Sequence, residues 1–188
     1  MIQSRDRSFY IGASDTYYVM GNWKTKTWKE WYLEKLGLRQ NEISTKPMKV
    51  GNAYEHKIID YVAPIAAKDP QIIIEALGLR VNYDAIDGDT IYEIKTYGAD
   101  EFKLTKRYVL QAQAEIFAAW ASGRIADPKL CIVAYRVTEA EYLNYFKDIE
   151  GERLKTFWIE PDGKFAADYI RRLKALHEAI VAGRMPCL

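Results

Sequence analysis

The stretch 79–96 constrains this chain more than any other, because it reads as two alternating runs set back to back around Asp87-Gly88-Asp89. Along 79–86, Leu79, Val81, Tyr83 and Ala85 fall on one side and Arg80, Asn82 and Asp84 on the other. An Asp-Gly pair between alternating runs is a strong hairpin signal, so 90–96 is predicted to return as the second strand. Strand side chains alternate, which puts Glu93 and Lys95 on one face, and a tight hairpin brings Asp84 beside them. Two carboxylates at one spot repel each other unless a cation lies between them. Oxygen ligands of this kind suit Mg²⁺ or Mn²⁺. Such a cation acidifies a bound water and stabilises charge growing on a phosphate, and a lysine beside that water orients it or stabilises the transition state. Taken alone, Glu-x-Lys is also an ordinary surface ion pair. Asp87 and Asp89 are turn formers first, yet Asp87 competes with Asp84 for the metal role, because the turn blurs the register.

The elements around this hairpin follow from hydrophobic period and capping signals. Helices are predicted over 25–36 and from about Gly51 onward, the latter with Tyr54, Ile58, Tyr61, Val62 and Ile65 on its apolar face. A long helix over 105–122 carries Val109, Ala112, Ile116 and Trp120 as its core stripe, and a last helix over 165–181 points Tyr169, Ile170, Leu173, Leu176 and Ile180 inward. Further strands are predicted over 71–75, 130–137 and 154–159. The order is helices, strands, helix, strands, helix. That predicts an α/β (α+β) fold, a central mixed sheet flanked by helices, in one domain spanning 1–188.

Composition narrows the function classes. With 188 residues and 49% hydrophobic content the chain has material for a real core. Its net charge of +1 gives no overall basic field, so any nucleic-acid contact must come from local charge. Cys131 and Cys187 form no zinc or iron–sulfur spacing and fit a reducing compartment. No apolar run reaches membrane-span length and the first residues lack a signal-peptide core, so a cytoplasmic protein without membrane contact is expected.

Four separated blocks resemble, in order, the PD-(D/E)XK nucleases, and among them the phage lambda exonuclease and YqaJ-type viral recombinase group. The first block runs from Arg7 to Ser14. The resemblance implies that Arg7 and Ser14 grip the 5′-phosphate of a DNA end, for which a guanidinium fork and a hydroxyl at a helix start are suited. Read by itself, Ser14 is a helix N-cap and Arg7 a surface charge. The second block, Gly51-Asn52-Ala53-Tyr54-Glu55, is similar to a G-x-x-x-E helix whose Glu helps to bind metal. Glu55 sits near the buried face and needs a partner there, unless it reaches solvent at the stripe's edge. The third block is the hairpin, with Tyr83 where the family name has Pro. It implies Asp84 and Glu93 as metal ligands with the Ile94 carbonyl as a third, and Lys95 as the catalytic lysine. Asn82 stands where the family often has a phosphate-binding Ser. The fourth block, 108–115, resembles a Y-x-x-Q-x-Q helix in which Tyr108 and Gln111 position water or the scissile phosphate. Glu115 shares their stripe and reads as helix-surface polarity.

The resemblance implies a restriction-endonuclease-like core and a Mg²⁺- or Mn²⁺-dependent exonuclease acting on duplex DNA ends, 5′→3′, in phage-type recombination. It further implies a homo-oligomeric ring, a single-strand annealing partner, and a phage or prophage origin in a bacterial host. A structure-specific or restriction-type endonuclease and a non-catalytic DNA-binding module remain alternatives. Trp23, Trp28 and Trp31, interleaved with Lys24, Lys26 and Lys29, either touch DNA or divide into core and solvated face.

Overall fold

The computed structural model describes residues 10–39 and 45–187. In chain order the main elements are β1 (Ile11–Gly12), α1 (Thr16–Val19), α2 (Lys26–Lys35), α3 (Lys46–Val62), β2 (Ala67–Lys68), β3 (Gln71–Ile74), β4 (Leu79–Asn82), β5 (Ala85–Asp87), β6 (Thr90–Tyr97), α4 (Lys106–Ala121), β7 (Lys129–Arg136), α5 (Glu139–Leu143), β8 (Leu154–Ile159) and α6 (Phe165–Val181). The mixed α/β class is as expected. Helix α3 begins five residues before Gly51, because Thr45 caps it through a bond from the Met48 N–H and Pro47 stands in its first turn.

The strands form two sheets, where a single central one was expected. A five-stranded mixed sheet has the order β2-β5-β6-β7-β8, and a three-stranded sheet the order β1-β4-β3. The predicted strand 79–86 breaks at Tyr83-Asp84. There the Tyr83 N–H donates to the Pro70 carbonyl (2.9 Å) and the Asp69 N–H to the Asp84 carbonyl (3.1 Å). Pro70 has no N–H to donate, and Asp69 turns to a left-handed φ of 54°. The ribbon of 67–74 against 79–87 therefore passes from one sheet to the other at this point.

In the five-stranded sheet β6 is the central strand, antiparallel to β5 and parallel to β7, with α4 as the crossover between the parallel pair. Alternation along β7 sorts the core. Leu130, Ile132 and Ala134 join one apolar cluster with Ala112, Ala114 and Ile116 of α4. Cys131, Val133 and Tyr135 join the other with Val50, Tyr54 and Ile58 of α3. The sheet is thus held between α3 and α4, and β6 carries its side chains to both.

Several inward assignments fail at element ends. Trp120 is 58% exposed and lines an open cleft with Asp127, Pro128 and Pro161 instead of the core. Tyr61 and Ile65 are exposed, and Ile65 lies beyond the end of α3 at Val62. On α6 the inward assignments hold: Tyr169, Leu173 and Leu176 are buried, and Ile170 and Ile180 are half-buried and packed against the same cluster. Trp23, Trp28 and Trp31 are core residues, with Trp28 stacked on Trp23 (5.3 Å) and on Tyr32 (5.1 Å). Lys24, Lys26 and Lys29 face solvent. Among the described residues no helix is long and apolar enough to cross a membrane.

Candidate active site

The β5–β6 hairpin decides between the two aspartates. Its register pairs Ala85 with Tyr92, Ile86 with Ile91 and Asp87 with Thr90. One step further along, Asp84 falls opposite Glu93. Asp87 sits at the turn, three residues further from Glu93, or roughly 10 Å at strand rise. Gly88 takes the positive φ (55°) that this tight turn demands. Asp84 Oδ2 accepts the Ile94 N–H at 2.7 Å, so the side chain replaces a ladder bond and is fixed against β6.

Glu93 and Lys95 face α4, as their parity with Ile91 requires. Glu93 is 4% exposed. Its Oε1 accepts from the Lys95 ammonium and from Gln111 Nε2 (2.7 Å). The Lys95 Nζ also lies 5.3 Å from the centre of the Tyr108 ring, which is itself stacked on Phe102 at 5.7 Å. Tyr108 and Gln111 therefore reach the hairpin from one stripe of α4. The second glutamine of that motif, Gln113, turns elsewhere and fastens the backbone of Glu160 and Asp162 (2.7 and 2.9 Å).

Glu115 corrects the expectation of a surface residue. It is fully buried, and its Oε1 accepts the second bond from Gln111 Nε2 at 2.9 Å. Helical spacing places it in line with Tyr108 and Gln111, but only the tertiary fold shows that this stripe faces inward.

Glu55 approaches from α3. It lines a cavity of about 230 Å³ with Gly51, Asn52, Ile94, Lys95 and Thr96. A Cβ at Gly51 would meet Thr96 Oγ1 at 3.3 Å, so a glycine lets the helix come this close to β6. Glu55, His56 and Asp69 also bring ligand atoms within 4.8 Å of one another near the surface.

The electrostatics record this convergence. Burial raises the Asp84 carboxyl well above the usual carboxylate range, and the charges of Glu93 and Glu55 raise it further, against the Ile94 N–H and Lys95. Burial followed by Glu93 raises Glu55. Burial followed by Glu93 also raises Glu115. Burial works against the Lys95 ammonium, but Glu93, Asp84 and Glu115 hold its pKa above the ordinary value. Four carboxyl groups thus face one lysine. Among the described residues, no hydrogen bond takes up Oδ1 of Asp84 or Oε2 of Glu93. An all-oxygen donor set with excess negative charge fits Mg²⁺ or Mn²⁺. Asp84, Glu93 and Glu55 are the side chains that would hold it, with the Ile94 carbonyl as the candidate backbone ligand.

A second cleft, of about 240 Å³, gathers Ser14 and Asn82 with Tyr10, Lys35 and Arg80. Ser14 lies inside the 3-10 turn Ala13–Asp15 and makes no cap bond, so its N-cap reading falls away. Asp15 takes the local backbone role, accepting from the Gly12 N–H (2.9 Å) and pairing with Lys35 (2.5 Å). Asn82 Oδ1 accepts from Gln71 Nε2 at 2.7 Å. Arg7 lies outside the described residues. Lys35 and Arg80 went unassigned in the sequence, although strand parity puts Arg80 on the face of Asn82 and Asp84.

No family model and no curated protein sequence matches the chain. Solved structures do. The alkaline exonuclease LHK-Exo from Laribacter hongkongensis superposes with a TM-score of 0.69 at 18% identity, over 95% of this chain and 91% of that one. The same exonuclease in complex with dAMP gives 0.68 at 20% identity, over 96% and 91%. A phage-related exonuclease from Haemophilus somnus 129PT gives 0.63 at 13% identity, over 93% and 96%. At these identities the likeness is one of fold. The chain has the fold of these exonucleases, in keeping with the resemblance read from its four blocks.

Proposed function

We propose that this chain is a metal-dependent deoxyribonuclease that hydrolyses phosphodiester bonds from the ends of duplex DNA. One observation carries the reading: Asp84 is bonded to the Ile94 N–H of β6, Glu93 beside it pairs with Lys95, and Lys95 lines a cavity with Glu55 of α3, so three carboxyl groups gather around one lysine. A bound Mg²⁺ or Mn²⁺ would supply Lewis-acid stabilisation of the phosphate and would make a water easier to deprotonate to the nucleophile.

The chain's own residues do the rest. Glu93 is held by Lys95 and Gln111 through one oxygen, which leaves the other for the ion. Asp84 is likewise held through one oxygen by the Ile94 N–H. Lys95 stays protonated, so it acts as a cation: it orients the attacking water and offsets charge on the phosphate oxygens, rather than removing a proton as a base. Tyr108 presents its ring face to that ammonium and fixes its direction. Water adds to phosphorus, the P–O3′ bond breaks, and the leaving 3′-oxygen takes a proton, releasing a 5′-mononucleotide. Ser14, Asn82 and Arg80 line the cleft suited to the terminal 5′-phosphate, which sets digestion 5′→3′. The dAMP held by LHK-Exo is a molecule of that product class. Ring assembly around DNA and transfer of the exposed strand to an annealing protein in phage-type recombination complete the proposal.

The test is a time course on linear duplex labelled at the 5′ or the 3′ end, beside a covalently closed circle, with and without Mg²⁺. Release of 5′-label as mononucleotide, dependent on Mg²⁺ and absent from the circle, is expected. Equal cutting of the circle would replace the reading with an endonuclease. DNA binding without any release would leave a binding module.

A further inference from the structure

The fully buried Glu115 has no place in the chemistry above, and although the charge of Lys95 reaches it, the apolar packing immediately around it does not call for a carboxyl. Its neighbours in the core are apolar: Ala112, Ala114, Ile116 and Ala118 of its own helix join the same cluster. Among the described residues no Lys, Arg or His forms an ion pair with it, and its Oε2 is buried without a hydrogen-bond partner. A carboxyl held in this way is unfavourable to the fold, and an apolar side chain of similar volume would pack better. Its one side-chain bond goes to Gln111, whose amide nitrogen also reaches Glu93.

We propose that Glu115 is a positioning residue for the nuclease centre, acting through Gln111 on Glu93. An amide group has a donor end and an acceptor end of nearly equal shape, so a single bond leaves its orientation weakly defined. With Glu93 and Glu115 both accepting, each amide hydrogen has a partner and the amide oxygen must point away from both. Gln111 is thereby pinned with its donor end on Glu93 Oε1, and Glu93 is pinned with its other oxygen toward the metal. The inference rests on the proposed nuclease reading and adds a residue that supports the site from the interior of α4.

Glu115→Leu and Glu115→Gln separate this from a merely structural role. Removing the buried carboxyl leaves the melting temperature of Glu115→Leu equal to wild type or higher. It is expected to lower kcat on linear duplex about tenfold with KM for DNA unchanged, and to weaken Mn²⁺ binding, followed by titration calorimetry, about fivefold. Glu115→Gln keeps an oxygen that accepts from Gln111 and restores both quantities to within about threefold of wild type. In a Gln111→Leu background, Glu115→Leu adds no further loss. Wild-type kcat and Mn²⁺ affinity in Glu115→Leu would overturn the assignment, as would a Glu115→Gln variant as impaired as the leucine one. Should Glu115→Leu melt several degrees below wild type, Glu115→Met carries the same comparison with an unbranched chain. A wild-type protein that binds Mn²⁺ but cuts no DNA would overturn the nuclease reading alone, and the Mn²⁺ affinities would still decide on Glu115.

Discussion

Replacing Asp84 by asparagine should stabilise the metal-free protein and abolish its stabilisation by metal. The substituted amide keeps an oxygen for the Ile94 N–H, so the bond of 2.7 Å that fixes the side chain to β6 survives and the fold is not at risk. What changes is charge. Glu55, Asp84, Glu93 and Glu115 face the single ammonium of Lys95, and burial together with Glu93 and Glu55 raises the Asp84 carboxyl. A carboxyl whose pKa is raised by folding favours the fold while protonated, and that contribution is lost as pH rises through the raised value. The advantage of Asp84→Asn over wild type therefore appears at neutral pH and fades as pH falls below about 4, where the unfolded state becomes protonated as well. At a free concentration one hundred times its Kd, an ion that binds only the native state adds about 2.7 kcal/mol. For a domain of this size each kcal/mol moves the melting temperature by about 2–4 °C, so Mn²⁺ or Mg²⁺ should raise wild type by about 5–11 °C. Thermal melts of both proteins, with and without metal and at several pH values, measure both effects. An equal metal-induced rise in Asp84→Asn would refute the site. A rise abolished in Asp87→Asn instead would move the ligand to the turn.

Three further outcomes follow from the same geometry. Lys95→Met should cut cleavage by about a hundredfold or more while leaving metal binding intact or tighter, because it removes the cation at the phosphate and frees an oxygen of Glu93; cleavage within tenfold of wild type would show that the lysine is only a structural partner. Ser14→Ala combined with Asn82→Leu should erase a preference for 5′-phosphorylated over unphosphorylated ends, measured on matched oligonucleotide duplexes, because both residues line the second cleft. Glu141 tests the acid limit of the fold: burial works to raise its carboxyl, but bidentate bonds from Arg153 (2.6 and 3.0 Å), with those from Thr138 and Tyr135, pull it down to about 2 from 4.5. A depressed carboxyl contributes stability above its unfolded pKa, here about 3 kcal/mol. Urea midpoints of wild type and Glu141→Gln should accordingly converge as pH falls from 4.5 toward 2.

What the sequence disclosed and what it concealed divide along the range of the interactions involved. Glu93 and Lys95 were legible as a pair because a strand's period of two puts them on one face, and Asp84 only as one of two candidates, since the Asp-Gly turn left its register against Asp87 open. The break at Tyr83-Asp84 was not, since it is imposed by Asp69 and Pro70 on a neighbouring ribbon. Trp120 carried the right helical period yet is 58% exposed, and periodicity does not say which positions of a stripe find a partner. The cleft joining Ser14 to Asn82 and Lys35 depends on three segments meeting.

Glu115 is the instructive failure. Tyr108, Gln111 and Glu115 form a polar stripe, and a polar stripe on an isolated helix means solvent. Yet every residue from 112 to 119 is buried, so α4 has no wet side in that span. Its neighbours are short and apolar, with alanine at 112, 114, 118 and 119, which is the composition of a helix packed closely on several sides. On such a helix an inward polar stripe must be answered by polar groups on the facing element. Here the facing element is β6, and its Glu93 and Lys95 give that answer. The helix and the hairpin therefore point to each other: the buried polar stripe on one and the Glu93–Lys95 pair on the other meet through Gln111.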